Sequence, residues 1–246
     1  MSGQRITVSV VSHAQNALVN QLVEDLATHC APGLKVIITE NVPDGEPLRL
    51  PQASHEFEII RNTRAKGFGA NHNAAFALCR TELFCVANPD IRLPTDPFGR
   101  LLATLNERRA GVVAPLVLSA QGSVEDSARH FPTVTSLVRK AFAKGAKPDY
   151  AVDQGAKEVD WVAGMFMLFD ADAFRALGGF DERYFLYYED VDLCRRMRCR
   201  GYKVVYEPAV SVTHDARRAS RRNPRLMRIH AASALRYLLS RYPRKS

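Results

Sequence analysis

Apolar and polar positions follow one another in blocks along this chain of 246 residues. Ile6–Val11 is a β-rich apolar run, and after it Leu18, Leu22, Val23 and Leu26 recur at helical spacing up to a break at Pro32-Gly33. Leu34-Lys35-Val36-Ile37-Ile38 then reads as a second strand and Phe57-Glu58-Ile59-Ile60 as a third. The pattern continues with a helix over Gly67–Arg80, a strand over Leu83–Ala87, a helix over Phe98–Arg109 and a strand over Gly111–Leu118. Strands that alternate with helices of about ten residues need crossover connections, so an α/β fold with a mostly parallel central sheet flanked by helices is expected.

Between Ser119 and Val159 the periodicity fades, and Gly122, Pro132, Gly145, Pro148 and Gly155 predict loops, short helices or a flap. Trp161–Phe169 returns as one apolar strand. A short helix over Asp172–Leu177, a helix over Asp190–Arg200, a strand over Lys203–Val210 and a terminal helix near Arg225–Arg241 complete the chain.

This length and the absence of a low-complexity linker predict one domain over residues 1–246, and 46% apolar with 24% charged residues fits a globular chain. No apolar run reaches 18 residues and no secretory signal opens the sequence, which predicts a cytoplasmic protein. The five cysteines are odd in number and form no Cys-x-x-Cys pair, so reduced, mostly buried thiols are expected rather than a disulfide frame or a zinc site.

Charge changes the picture at one end only. Ten Lys and Arg and no Asp or Glu follow Asp215, while the whole chain carries +8, so the first 215 residues are slightly negative. A local anionic partner such as a lipid surface or phosphates accounts for that better than nucleic acid along the whole protein.

Ligands of open α/β sheets bind beyond the carboxyl ends of the strands. The tips there are polar: Ser12-His13, Thr39-Glu40-Asn41, Asn88-Pro89-Asp90 and Thr213-His214-Asp215. Each alone is ordinary turn chemistry; four on one edge suggest a site. Arg61–Asn73 puts Arg61, Arg64, Lys66, Gly67 and Gly69 before a helix start, where free N–H groups favour a diphosphate, although a flexible turn with solvated cations reads equally well. Asp90 offers a hard oxygen ligand for Mg2+ or Mn2+; His214, a lone histidine, is more often structural. In Tyr184–Arg196, Glu189, Asp190 and Asp192 open a helix, and Asp192 with Arg195 or Arg196 is an ordinary helix pair. Two adjacent carboxylates behind four bulky residues suit a base of raised pKa.

These residues resemble the inverting family 2 glycosyltransferases with the GT-A fold, in particular their bacterial rhamnosyltransferase-like branch. The likeness spans nearly the whole chain and rests on Val8–His13, Asn41, Gly67–Phe76, Asn88-Pro89-Asp90, Trp161-Val162-Ala163-Gly164, and Gly178–Phe185 running into Glu189–Arg196, with Gly201-Tyr202 and His214 downstream. The Gly-Gly-Phe-Asp to Glu-Asp-x-Asp block is its specific part.

The resemblance implies a nucleotide-sugar half over 1–118, an acceptor and catalytic half over 119–215, and a basic helical tail over 216–246. It makes Asp190 the base, with Glu189 beside it near the acceptor. Asp90 is the last acid of the metal motif, Asn88 replaces that motif's first acid, and His214 lies near metal and diphosphate. Ser12, His13, Glu40 and Asn41 fall where nucleotide base and ribose are held, Glu40 standing where aspartate is usual. Gly69, Asn71, Trp161 and Gly164 belong to the substrate-binding motifs. The implied reaction takes a TDP- or UDP-sugar donor, rhamnose foremost, to a glycan or polyprenyl-linked acceptor with a divalent cation. Such acceptors suit peripheral contact of the tail with the inner membrane face.

A degenerate nucleotide-sugar-binding protein is a second reading, because Asn88 and Glu40 depart from the pattern. A sugar nucleotidyltransferase is a third, but its glycine-rich basic loop would follow the first strand, where Ser12-His13-Ala14-Gln15 stands.

Overall fold

In the computed structural model, residues 6–52, 55–136, 149–153, 155–215, 224–240 and 242 are described. Strand β1 (Ile6–His13) explains the sheet's place in the molecule. Ile6, Val8 and Val10 enter one apolar core, while Thr7 and Ser9 point the other way and are buried too. Their hydroxyls are satisfied by Thr81 Oγ1 and His72 Nδ1, each at 2.8 Å. A strand buried on both faces belongs at the centre of a parallel sheet.

Beyond it come α1 (Asn16–His29), β2 (Lys35–Val42), β3 (Glu56–Arg61), α2 (Phe68–Ala77), β4 (Leu83–Ala87), β5 (Ile91–Arg92), α3 (Phe98–Arg108) and β6 (Ala110–Ser119). The later half holds β7 (Ala128–Arg129), β8 (Lys157–Glu158), β9 (Trp161–Val162), β10 (Phe166–Asp170), α4 (Ala171–Ala176), α5 (Glu189–Cys199), β11 (Lys203–His214) and α6 (Pro224–Leu239). The main sheet has the order β3-β2-β1-β4-β10-β6-β11-β5, with β8 added to β11. Six of its nine strands point one way, and β5, β8 and β10 run against them. The mostly parallel α/β sheet expected from the alternation is therefore present.

One core, with Leu22, Leu26, Leu101 and Leu105 from α1 and α3, covers one face. A second, with Phe84, Phe169, Phe174, Leu193 and Tyr237, covers the other beneath α4, α5 and α6. Each fully buried Leu or Phe contributes about 1.5–3 kcal/mol, more than a typical net hydrogen bond at about 1 kcal/mol, so the cores hold the sheet and its polar tips are left for other work.

Two strand expectations are corrected. The apolar stretch Trp161–Phe169 is not one strand: β9 pairs with β7 in a separate two-stranded ribbon, and β10 begins again at Phe166 after a turn through Ala163-Gly164-Met165. The turn lies at the carboxyl edge of β4, so β10 must run back down the sheet, antiparallel to β4 and β6. An apolar run marks burial on both faces but carries no sign of direction. The loosely patterned stretch after Ser119 contains β7 and β8, while residues 137–148 and 154 lie outside the described residues, as do Arg217, Arg218, Arg221, Arg222, Arg241, Arg244 and Lys245 of the tail. The five cysteines are free thiols, four of them buried.

Candidate active site

Because β1, β2, β4 and β11 run the same way, their four polar tips share one edge. The first two tips are held mainly by their own neighbours. Ser12, fully buried, donates to Asn16 Oδ1 at 2.5 Å and accepts from Gln15 N, which starts α1. Glu40 is engaged by Asn16 Nδ2 at 3.1 Å and by Arg61 Nε at 2.8 Å. Asn41 is the organiser: its Oδ1 accepts from Lys66 N at 2.7 Å, its Nδ2 donates to Lys66 O at 2.9 Å, and the exposed His13 ring stands 3.0 Å away. Asn62 Nδ2 ties Asn41 to Asn71 Oδ1, so three asparagines fix the loop before α2. Asn71 thus serves the loop through its own amide.

Gly67 and Gly69 serve close packing. A Cβ on Gly67 would lie 2.6 Å from Phe185 O, and one on Gly69 2.7 Å from Phe180 Cβ. Phe68 N donates to Phe185 O at 2.9 Å, so the first N–H of α2 is taken by protein rather than left for a diphosphate. Asn73 pairs with both backbone groups of Phe180 at 2.9 Å, and Gly179, at φ 71°, leaves room for that amide. The Gly-Gly-Phe block is therefore the seam between α2 and the loop leading to α5. A cleft of about 610 Å³ opens beside the seam, lined among others by Arg64, Lys66, Glu182 and Phe185. Arg61 is held by Glu40, whereas Arg64 and Lys66 meet no carboxylate among the described residues.

At the third and fourth tips Asp90 and His214 come together. β5 pairs with the end of β11, Asp215 N donates to Asp90 O at 2.8 Å, and His214 Nε2 lies 3.1 Å from Asp90 Oδ2. Glu125 Oε2 holds the other ring nitrogen at 2.7 Å. Burial alone would lower the imidazole's pKa, but the hydrogen bonds and charges of Asp90 and then Glu125 outweigh it and raise it to about 9. Asp90 Oδ1 is buried and has no hydrogen-bond partner, an acceptor left open for a cation.

Asp190 sits in the first turn of α5, half-buried. Its Oδ2 accepts from Gly164 N at 2.9 Å and its Oδ1 from Val191 N at 2.8 Å. Burial raises its pKa, while those N–H groups and the Arg129 guanidinium draw it back. Glu189, only 5% exposed and with Oε2 unpartnered, is raised well above the ordinary range by burial and then by the charge of Asp190. Burial thus pushes both acids of the pair upward, and only Asp190 has backbone N–H groups and a guanidinium that favour its charged form. Asp192 forms the expected helix pair with Arg196 at 2.7 Å. The turn that launches α5 is strained: Tyr187 and Tyr188 have φ of 70° and 69°, a region costly for side chains of this size.

The sequence profile described as "Glycosyltransferase like family 2" matches residues 4–228. The chain belongs to that family. This glycosyltransferase is 27% identical over 244 residues to the N-acetylglucosaminyl-diphospho-decaprenol L-rhamnosyltransferase of Mycobacterium tuberculosis, covering 89% of this chain and 78% of that one. It is 28% identical over 248 residues to rhamnosyltransferase WbbL of Escherichia coli K12, covering 95% and 92%. Among solved structures, the mannosyltransferase PcManGT of Pyrobaculum calidifontis with GDP-Man and Mn2+ shares the fold at a TM-score of 0.65 and 15% identity, over 99% of this chain and 67% of that one. GalNAc-T7 with UDP, GalNAc and Mn2+ also gives 0.65 at 14% identity, this chain at 88% coverage spanning 44% of its length.

Around the candidate site stand residues that sequence reading passed over. Glu125 lies in the loosely patterned stretch and reaches His214 only because a turn at Ser119–Ser123 folds it back. Arg129, on β7, stacks over Trp161 at 5.4 Å and lies close enough to act on Asp190. Trp161 is buried, with Nε1 on His130 O at 3.0 Å, and so supports the ribbon. Asn88 contributes its backbone: its N–H donates to Met165 O at 2.9 Å, beside the Gly164 that holds Asp190.

Proposed function

We propose that this glycosyltransferase moves a sugar, with inversion, from a nucleoside-diphosphate donor to an acceptor hydroxyl, with Asp190 as the base. The observation that carries this reading is the Gly164-Met165 step, which holds the Asp190 carboxylate on one side and the Asn88–Asp90 turn on the other. A base and a diphosphate-binding turn joined by one rigid backbone step suit in-line displacement at a carbon between them. Asp190 accepts the proton of the acceptor hydroxyl, the new oxygen–carbon bond forms at the anomeric carbon, and the bond to the diphosphate oxygen breaks with its electron pair. No covalent intermediate on the protein is required.

The diphosphate end fits a divalent cation, Mg2+ or Mn2+. Asp90, with its open Oδ1, and His214, once its Nε2 gives up the proton it shares with Asp90, would hold it, and Glu125 would orient the imidazole through Nδ1. When bound, such an ion offsets the negative charge that develops on the leaving diphosphate. Among the described residues no three His, Cys, Asp or Glu side chains are placed to hold a metal ion together, so donor phosphates would complete its shell. Ser12, His13, Glu40 and Asn41 at the β1 and β2 tips would border the nucleotide, with Arg64 and Lys66 at the loop that Asn41 fixes.

The two rhamnosyltransferase relatives support rhamnose as the sugar and a glycan or polyprenyl-diphosphate-linked acceptor, and the donor in this reading is a TDP- or UDP-sugar. The intact hydrogen bonding of Asp190 favours this over a degenerate sugar-nucleotide binder. Thermal shift with UDP, TDP, GDP and CDP, each with Mn2+ or Mg2+, tests the donor end. One diphosphate should stabilise the protein in a metal-dependent way and lose that effect in Asp90→Ala; no response to any of the four overturns the donor site.

A further inference from the structure

The terminal helix α6 has two working faces. Its inner face grips the strained turn that launches α5. The buried Ser233 donates to Leu186 O at 2.9 Å, the His230 ring stands edge-on to Tyr187 and Tyr188 at 5.2 and 5.3 Å, and Tyr237 lies 5.6 Å from Tyr188. Just beyond the helix, Tyr242 donates to Asp192 Oδ1 at 2.7 Å. Two tyrosines at positive φ persist only where their surroundings over-determine them, and α6 supplies those surroundings. Glu189 and Asp190 follow that turn directly.

Its outer face is apolar where a solvated helix would be polar. Met227, Leu235 and Leu239 are 62%, 59% and 73% exposed, and at 100° per residue they share one side with Ala231. Arg228 lies among them and Arg236 at the edge, and no Asp or Glu occurs anywhere after Asp215, against ten Lys and Arg. An exposed apolar stripe with cations and no anions matches a surface that is apolar beneath and negative above. The helix has 16 residues, and no described helix is long and apolar enough to cross a bilayer, so the contact lies along the surface.

We infer that α6 docks on an anionic lipid surface and that docking steadies the Tyr187-Tyr188 turn, so that the membrane sets the geometry of the carboxylate pair. This deepens the reading of the protein as a transferase of lipid-linked acceptors and rests on it for the coupling, though not for the docking. It also gives the helix's apolar outer face and its strained inner contact one shared purpose.

Co-sedimentation of the full chain with neutral and with anionic phospholipid vesicles tests the docking. Wild type should follow the anionic vesicles; Leu235→Glu with Leu239→Glu should bind more than tenfold more weakly, and Arg228→Ala about fivefold. Equal binding by wild type and the double variant overturns the docking, as does a dimer in sedimentation velocity that the double variant abolishes without any lipid binding, since the face would then join two copies. Hydrogen exchange over residues 184–192 should slow when anionic vesicles are added, and unchanged exchange with vesicles bound overturns the coupling. Nucleoside diphosphate binding serves as the control: its absence in a protein that still binds vesicles would sink the transferase reading and leave the docking standing.

Discussion

Gly164 gives its backbone N–H to Asp190 Oδ2 at 2.9 Å, across 26 residues of sequence. The glycine has a steric role as well, because a Cβ there would sit 3.3 Å from the Phe68 ring and 3.7 Å from Asp190 Cβ. The carboxylate is thus oriented by a backbone N–H that no substitution at Gly164 other than proline removes, and its position is set by the turn between β9 and β10.

That arrangement separates the two adjacent acids. Asp190→Asn keeps the shape but cannot accept a proton, and should lower kcat by about a hundred- to ten-thousandfold with donor binding retained. Burial and the charge of Asp190 push the Glu189 pKa up and so favour its neutral form, which glutamine mimics; Glu189→Gln should therefore change kcat by less than about tenfold. Steady-state kinetics on both variants checks this; equal losses would mean that the roles are shared.

Glu189 also predicts a pH effect on stability. Its folded pKa lies above its unfolded value, so the folded state binds more protons and stability falls as pH rises from the unfolded towards the folded pKa. Removing the acid should therefore raise Tm, by about 2–4 °C for each kcal/mol gained, and more at pH 8 than at pH 5. For Asp190 the same sign places the acid limb of activity above that of an ordinary aspartate. Arg129→Met removes a cation that draws its pKa down, and should move that limb to higher pH in a kcat/KM profile. A limb that stays put would remove Arg129 from the site.

In the proposed cation site Glu125 acts through His214. Glu125→Gln should weaken Mn2+ binding in the presence of nucleoside diphosphate by about ten- to a hundredfold, as the loss of a partner behind a metal-ligating histidine does. Titration calorimetry reads this directly, and kcat at saturating metal should stay near wild type. Unchanged affinity would make the His214–Glu125 contact purely structural.

Gly67 tests the seam. A methyl placed 2.6 Å from Phe185 O must push the backbone of the loop before α5, so Gly67→Ala should cost about 2 kcal/mol or more and lower Tm by about 4–8 °C. A melt within a degree of wild type would show that the loop yields freely.

Much of this was legible in the residues themselves. The apolar runs at β1, β2 and β4 and the helical spacing in α1 and α3 defined an α/β sheet, because periodicity records which faces meet a core. Polar tips at Asn41, Asp90 and His214 marked one edge, and the Gly178–Arg196 block marked the family. What the sequence by itself determined was therefore local: burial, element type and the identity of the acids. Tertiary structure alone decided that β10 runs backwards, that Glu125 meets His214 across 89 residues, and that Gly164 rather than a side chain holds Asp190. It also turned Asn41 and Asn71 towards holding the loop before α2, and Gly69 towards close packing against Phe180. Those outcomes depend on which distant backbone groups lie side by side, and a pattern of apolar and polar residues has no term for strand direction or for a hydrogen bond between segments far apart in the chain.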